Sequence, residues 1–154
     1  MQLILIAEDY ESDAKLIERA LKRAGVLNPI LVVTDGDEAI AYLKGDGAYS
    51  DRTKFPLPGV LLLDLKMPRV TGFEVLEWWK KEPQLKELVI IVLSGLRELQ
   101  EVTRAYQLGA RTFLVKPPTE DEVKNLVKAF TVFCTAAAVE STKQNAASAE
   151  SVGR

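Results

Sequence analysis

Histidine is absent from this chain of 154 residues, and cysteine occurs once, at Cys134. A chain without imidazole has no Ser-His-Asp or Cys-His catalysis, no histidine metal ligand and no phosphohistidine of its own. One cysteine cannot form a disulfide within the chain or build a zinc site alone, and we interpret Cys134 as a packing residue rather than a reactive thiol. Any chemistry must therefore depend on carboxylates, lysines and hydroxyl groups.

Long apolar runs and an excess of basic residues are also missing. The opening MQLILIA is interrupted by Glu8 and Asp9, so it is too short and too acidic for a signal peptide or a membrane span. A net charge of −2 gives no electrostatic reason to bind nucleic acid or an anionic membrane. We therefore expect a cytoplasmic protein with neither nucleic acid nor membrane as a partner.

The length suits one domain, which we place over residues 1–134. Within it, the glycine- and proline-rich segment 45–59 predicts a long loop, which we interpret as a surface insertion in preference to a partner-binding loop. From residue 135 to residue 154 the chain becomes small and polar. This composition predicts a frayed helix end followed by a disordered C-terminal tail.

Five short apolar runs alternate with segments of helical periodicity. Most runs are continuous rather than alternating, which is typical of buried parallel strands; they cover residues 3–7, 30–34, 60–63, 89–93 and 112–115. Each helical segment has an apolar face that we expect to point inward. The five faces consist of Leu16, Ile17, Ala20, Leu21 and Ala24; of Ala39, Ile40 and Leu43; of Val75, Leu76 and Trp79; of Leu99, Val102 and Tyr106; and of Val123, Leu126, Val127 and Phe130.

This order is a strand followed by a helix, repeated five times. Gly25 is predicted to end the first helix in the left-handed conformation, and the capping box from Thr119 to Glu122 to begin the fifth. Trp78, turned away from Trp79, is interpreted as a half-buried residue in preference to a partner anchor. Because parallel crossovers are right-handed, the helices must cover both faces of an open sheet. The sequence predicts a doubly wound α/β domain.

Chemically complementary residues follow four of the predicted strands. In open α/β sheets, ligands bind outside the carboxyl ends of the strands; the residues found there are Glu8, Asp9, Asp64, Ser94 and Lys116. Alone, each has an ordinary structural interpretation, such as a helix start for Asp9 or a solvated cation for Lys116. Together, three neighbouring carboxylates repel unless a cation lies among them, and an all-oxygen cluster suits Mg²⁺, with Mn²⁺ as a substitute.

The motifs AEDYESD, LLLDLKMPRVTGFEVL, IVLSG and FLVKPP, in this order and spacing, resemble the receiver domains of two-component response regulators. The similarity runs over residues 3–133, and the long loop before the third strand is most like the stand-alone receivers that partner bacterial phytochromes. The resemblance implies a flavodoxin-like fold with strand order 2-1-3-4-5. It also implies that Asp64 accepts a phosphoryl group from a sensor histidine kinase or phosphotransfer protein.

The resemblance further implies roles for the surrounding residues. Glu8, Asp9, Asp64 and the backbone carbonyl of Lys66 would hold the metal, although the family often has Asp where this chain has Glu8. Ser94 and Lys116 would bind the phosphoryl group, the peptide bond before Pro117 would be cis, and the Lys66 side chain would prolong the phosphorylated state. Phe113 would act as the aromatic switch residue, with core packing as the alternative. Output would pass through the surface of helix 4, strand 5 and helix 5 to an unknown downstream protein or in a homodimer.

Two other functional classes compete with this hypothesis. A haloacid-dehalogenase-type phosphatase also combines a strand-end Asp, Mg²⁺, a hydroxyl and Lys, but normally has a second Asp two residues after the nucleophile, where this chain has Lys66. A receiver used only as an interaction module is the third interpretation. The presence of all five polar residues at the strand ends argues against a site that has decayed.

Overall fold

The computed structural model describes residues 1–95, 100–136 and 144. Five parallel strands form one sheet in the order β2-β1-β3-β4-β5, which confirms the predicted topology. The strands are β1 (Leu3–Ala7), β2 (Ile30–Val33), β3 (Pro58–Asp64), β4 (Val89–Ser94) and β5 (Thr112–Val115). Four strand boundaries differ from prediction. β2 ends before Thr34, β3 begins at Pro58, inside the segment predicted as a loop, and β3 and β4 each extend one residue further, to Asp64 and Ser94.

Among the described residues, five α-helices connect and follow the strands. They are α1 (Glu11–Arg23), α2 (Gly36–Lys44), α3 (Gly72–Lys80), α4 (Val102–Gln107) and α5 (Glu120–Ala129). As predicted, Gly25 has a left-handed backbone after α1, with φ of 87°, and Thr119 forms a capping box with Glu122 at the start of α5. Leu99 lies outside the described residues, as does most of the segment predicted to be a tail.

The sheet separates two apolar clusters. Helices α2, α3 and α4 pack on one face, and α1 and α5 pack on the other. The strands β1, β3 and β4 are buried almost throughout, whereas β2 and β5 are half-buried because each lies at an edge of the sheet.

Two side chains predicted to point into the core are instead exposed. Leu16 is 47% exposed, because α1 buries the face formed by Ala14, Ile17 and Leu21 instead. Tyr106 is 44% exposed on α4. Trp79 is half-buried and packs against the core, as predicted. Its indole Nε1 donates a hydrogen bond of 2.8 Å to the Leu85 carbonyl, and its ring lies against Gly109, just beyond α4. Trp78 is half-buried, as predicted.

The loop between α2 and β3 is tied to the end of α2 by Arg52. The Arg52 guanidinium donates to the carbonyl oxygens of Tyr42 and Leu43, each at 2.8 Å, and to that of Phe55 at 3.1 Å. The last carbonyls of a helix lack regular partners within the helix. Arg52 supplies a donor to Leu43 and a second donor to Tyr42, whose carbonyl also accepts from the Gly45 amide at 3.1 Å. Tyr49 packs between the rings of Tyr42 and Phe55.

Asn28, in the loop just before the edge strand β2, holds the segment that follows α5. Its buried side-chain amide donates to the carbonyls of Gln2 and Val132, at 2.8 and 3.0 Å, and accepts from the Cys134 amide at 2.7 Å. Thr135, which we had assigned to the tail, forms an antiparallel bridge with Val26. Cys134 is partly buried within this arrangement.

Candidate functional site

Three carboxylates meet at the carboxyl end of the sheet. Glu8 and Asp9 follow β1, and Asp64 ends β3, which is the neighbour of β1. One oxygen from each side chain lies within 4.8 Å of the others. Glu8 and Asp64 are buried, and Asp9 is half-buried. The predicted acidic cluster is therefore present, and two of its three members are removed from water.

Lys116, which follows β5, is the cation that contacts this cluster among the residues that the structure describes. Its Nζ lies 3.0 Å from Oε2 of Glu8 and 3.4 Å from Oδ2 of Asp64. It also lies 3.5 Å from Oδ2 of Asp13, a residue in the first turn of α1 that sequence reasoning did not assign to the site. Asp13 follows Asp9 by four positions in the motif AEDYESD, and this spacing was the available signal.

Burial and mutual repulsion determine the charges in the site. Burial and the charge of Asp64 raise the pKa of Glu8 to about 7, although Lys116 opposes the rise. Burial also raises the pKa of Asp64, against the effects of Lys116 and of the Lys66 amide. Burial lowers the pKa of Lys116, but Asp64 and Glu8 outweigh it and the net pKa is raised. The cluster therefore has more negative charge than one ammonium group can balance.

The other predicted site residues lie on the strands β4 and β5 or shortly after β3 and β5. Ser94 is buried at the end of β4, and its hydroxyl donates to the Gly95 carbonyl at 3.1 Å. The Lys66 amide donates to Oδ1 of Asp64 at 3.1 Å, while its side chain is exposed. Phe113 is half-buried on β5, and its ring lies edge-on to the ring of Tyr106, with the two ring centroids 6.3 Å apart. The peptide bond between Lys116 and Pro117 is cis.

The donor set fits a hard divalent cation. Oδ1 of Asp9 is buried and accepts no hydrogen bond from the residues that the structure describes. A buried carboxylate oxygen without a partner is costly, and a cation would satisfy it. The carboxylates of Glu8, Asp9 and Asp64 offer only oxygen ligands, which Mg²⁺ and Mn²⁺ prefer.

This fold and this site define a receiver. The sequence matches the response regulator receiver domain over residues 4–128, and the chain belongs to that family. Among curated relatives it is 30% identical to the response regulator Rcp1 of Synechocystis sp. over 132 residues, which cover 86% of this chain and 88% of Rcp1. Receivers act in two-component signalling with kinases or phosphotransfer proteins. They are signalling proteins, so the phosphatase alternative is not supported.

Solved structures support a narrower relationship. The bacteriophytochrome response regulator RtBRR superposes with a TM-score of 0.78 and 32% identity, covering 88% of this chain and 81% of RtBRR. The phosphorylated cyanobacterial phytochrome response regulator RcpA superposes with a TM-score of 0.70 and 32% identity, covering 83% of this chain and 89% of RcpA. The Mn²⁺-bound form of Rcp1 superposes with a TM-score of 0.73 and 29% identity, covering 86% of this chain and 95% of Rcp1. Within the family, the chain resembles the response regulators of phytochromes, as predicted.

The described helices are short relative to the thickness of a lipid bilayer. None of them is both long enough and apolar enough to cross one. The longest, α1, has 13 residues, whereas a spanning helix needs about 20.

Proposed function

We propose that this chain is a phosphoacceptor that receives a phosphoryl group on Asp64 from a histidine of a sensor kinase or phosphotransfer protein. A carboxylate oxygen of Asp64 forms the bond to phosphorus while the donor's nitrogen–phosphorus bond breaks, which returns the imidazole to the donor. The observation that carries this proposal is the contact of Lys116 Nζ with both Glu8 and Asp64 at the end of β3. The phosphorylated state of the relative RcpA supports it.

Glu8, Asp9, Asp64 and the Lys66 carbonyl would hold the divalent ion. When bound, Mg²⁺ supplies positive charge to the phosphoryl oxygens, and the Mn²⁺-bound form of Rcp1 supports such a site. Glu8 is longer than an aspartate by one methylene, and its Oε1 accepts from the Tyr10 amide at 3.3 Å. This hydrogen bond orients the carboxylate toward the cluster. Glu8 must also give up the proton that its raised pKa favours before it can serve as a ligand.

Lys116 and Ser94 would stabilise the phosphorylated form. Lys116 exchanges part of its contact with Glu8 and Asp64 for a phosphoryl oxygen, and the Ser94 hydroxyl turns from the Gly95 carbonyl toward the same group. Phe113 then rotates into the space that Ser94 leaves. This movement changes the surface formed by α4, β5 and α5, which transmits the signal to a downstream protein or to a second copy of the chain.

Phosphorylation from small donors and loss of the phosphoryl group to water would be the only reactions of the isolated chain. The exposed Lys66 side chain follows the phosphoacceptor by two positions. We propose that it limits the approach of water to the phosphoryl group and so prolongs the signalling state.

Intact-mass measurement tests the proposal directly. Incubation with acetyl phosphate and Mg²⁺ should add about 80 Da once per chain, the mass of one phosphoryl group. Asp64→Asn and treatment with EDTA should each abolish the addition. A chain that never gains this mass would instead be an interaction module, and labelling that survives Asp64→Asn would move the acceptor to another residue.

A further inference from the structure

The loop between β3 and α3, residues 65–71, is held in a narrow space next to Asp64. A Cβ atom added at Gly72 would overlap the carbonyl oxygen of Asp64, and one added at Gly36 would overlap that of Val70. The start of α3 is therefore in direct backbone contact with the end of β3, and Val70 of the loop is in direct backbone contact with the start of α2. Such close packing means that a small displacement of the loop also displaces Lys66, its second residue.

Arg69 is the residue of this loop that has an unusual backbone. It is the one residue other than glycine with positive φ, at 64°, among positions 1–95 and 100–136. A side chain in this conformation is disfavoured unless other interactions hold it there. At Arg69, the guanidinium forms an ion pair with Oδ2 of Asp35, and its Nε lies 3.9 Å from Oδ2 of Asp37.

Asp35 is itself fixed in place. It is the N-cap of α2, and its Oδ1 accepts a hydrogen bond of 2.8 Å from the Glu38 amide. That hydrogen bond, with a further contribution from Arg69, lowers the pKa of Asp35 below its ordinary value, so the carboxylate is charged at neutral pH. One carboxylate oxygen thus anchors the helix, and the other receives the guanidinium of the loop.

We propose that Arg69 is a positioning residue, whose ion pair with Asp35 holds the loop so that the Lys66 backbone is presented to the divalent ion beside Asp64. This inference rests on the proposed function, because it concerns the same metal site. Arg69 itself does not contact the carboxylate cluster and acts through the loop. The structural link is the Lys66 amide, which already donates to Oδ1 of Asp64 at 3.1 Å.

Binding of Mn²⁺ alone, measured from the electron paramagnetic resonance signal of the free ion, tests this inference without phosphorylation. Arg69→Gln should weaken Mn²⁺ binding about tenfold, as expected for a residue that orients a metal ligand from outside the coordination sphere. Arg69→Lys should recover part of the loss. Arg19→Gln, which removes the same charge from the exposed face of α1, should bind as the wild type does.

Arg69→Gly separates positioning from stability. Glycine accepts a positive φ without strain, so this variant should keep or raise the thermal midpoint while still binding Mn²⁺ about tenfold more weakly. If Arg69 acts through Asp35, the double variant of Asp35→Asn and Arg69→Gln should lose no more affinity than either single variant. Asparagine keeps the N-cap of α2 in that experiment.

The outcomes distinguish this inference from the proposed function. Wild-type affinity for Mn²⁺ in both Arg69→Gln and Arg69→Gly would overturn the positioning role. If substitution of Asp9 or Asp64 still abolished Mn²⁺ binding in that case, the proposed metal site itself would stand. Additive losses in the double variant would overturn the role of Asp35. A wild-type chain that binds no Mn²⁺ would overturn both proposals.

Discussion

Lys116 and Glu8 form an ion pair in which the carboxylate has no access to solvent. Nζ of Lys116 lies 3.0 Å from Oε2 of Glu8, whose side chain is fully buried, while the lysine retains 17% exposure. The same ammonium serves Asp64 and Asp13 at longer distances. Burial, together with the neighbouring charge of Asp64, raises the pKa of Glu8, and Lys116 offsets only part of this rise.

Replacement of Glu8 should therefore change how stability depends on pH. Because the pKa of Glu8 is raised from 4.5 to about 7 in the folded chain, its contribution to stability is complete below pH 4.5 and is lost as pH rises through 7. Without metal, the wild type should lose about 1–3 kcal/mol relative to Glu8→Gln between pH 5 and pH 8. Urea unfolding in EDTA at both pH values measures the difference, and Glu11→Gln on the exposed face of α1 is the control.

Lys66→Asn should shorten the lifetime of the phosphorylated chain. If the lysine side chain restricts attacking water, its replacement should accelerate hydrolysis about fivefold, equivalent to about 1 kcal/mol in the activation barrier. The decay of the added mass after removal of acetyl phosphate gives the rate. Lys54→Asn, at an exposed lysine in the α2–β3 loop, should decay as the wild type does, and equal lifetimes for all three chains would remove this role of Lys66.

Phe113→Ala should separate phosphorylation from its effect on α4. The Phe113 ring packs against Tyr106 of α4, so its rotation toward Ser94 would remove this contact. In the wild type, beryllofluoride with Mg²⁺ should alter amide hydrogen exchange in α4, and the variant should lose that change while still gaining the phosphoryl mass. Phe130→Ala, on the other face of the sheet, is the control. An unchanged response in Phe113→Ala would assign this residue to core packing alone.

Arg52→Ala should destabilise the chain far more than a typical surface substitution. The variant leaves the carbonyls of Tyr42, Leu43 and Phe55 without their charged donor, which should cost about 1–3 kcal/mol. Lys54→Ala in the same loop, which loses only a contact over the Phe55 ring, should cost about 0.5 kcal/mol or less. Urea unfolding measures both, and equal losses would contradict the anchoring role of Arg52.

The doubly wound sheet followed from strand periodicity and right-handed crossovers, whereas the strand order 2-1-3-4-5 was implied by the resemblance to receiver domains. The site followed for the same reason, since the ends of parallel strands must converge. Individual burial was less predictable. Leu16 continues the apolar pattern of α1, but the orientation of that helix on the sheet buries Ala14 instead. Tyr106 lies near the C-terminal end of the short helix α4 and is exposed there.

Interactions between distant segments were beyond sequence reasoning. Nothing in the sequence near Arg69 indicates that its guanidinium meets Asp35, 34 positions earlier, because this contact depends on how α2 and the β3–α3 loop pack. Asn28 likewise bonds to Val132, 104 positions away. The capping boxes that begin at Thr71 and Thr119 are local interactions, because each threonine pairs with a glutamate three residues further along the chain. Of these two, only the capping box at Thr119 was predicted from the sequence.

The position of Trp79 provides an optical reporter within the native chain. Trp78 and Trp79 are its two tryptophans, and both belong to α3. Because the six-membered ring of Trp79 lies on Gly109, a displacement of the end of α4 would change the polarity around the indole. Intrinsic fluorescence can therefore follow this displacement in real time, without a dye or an engineered cysteine.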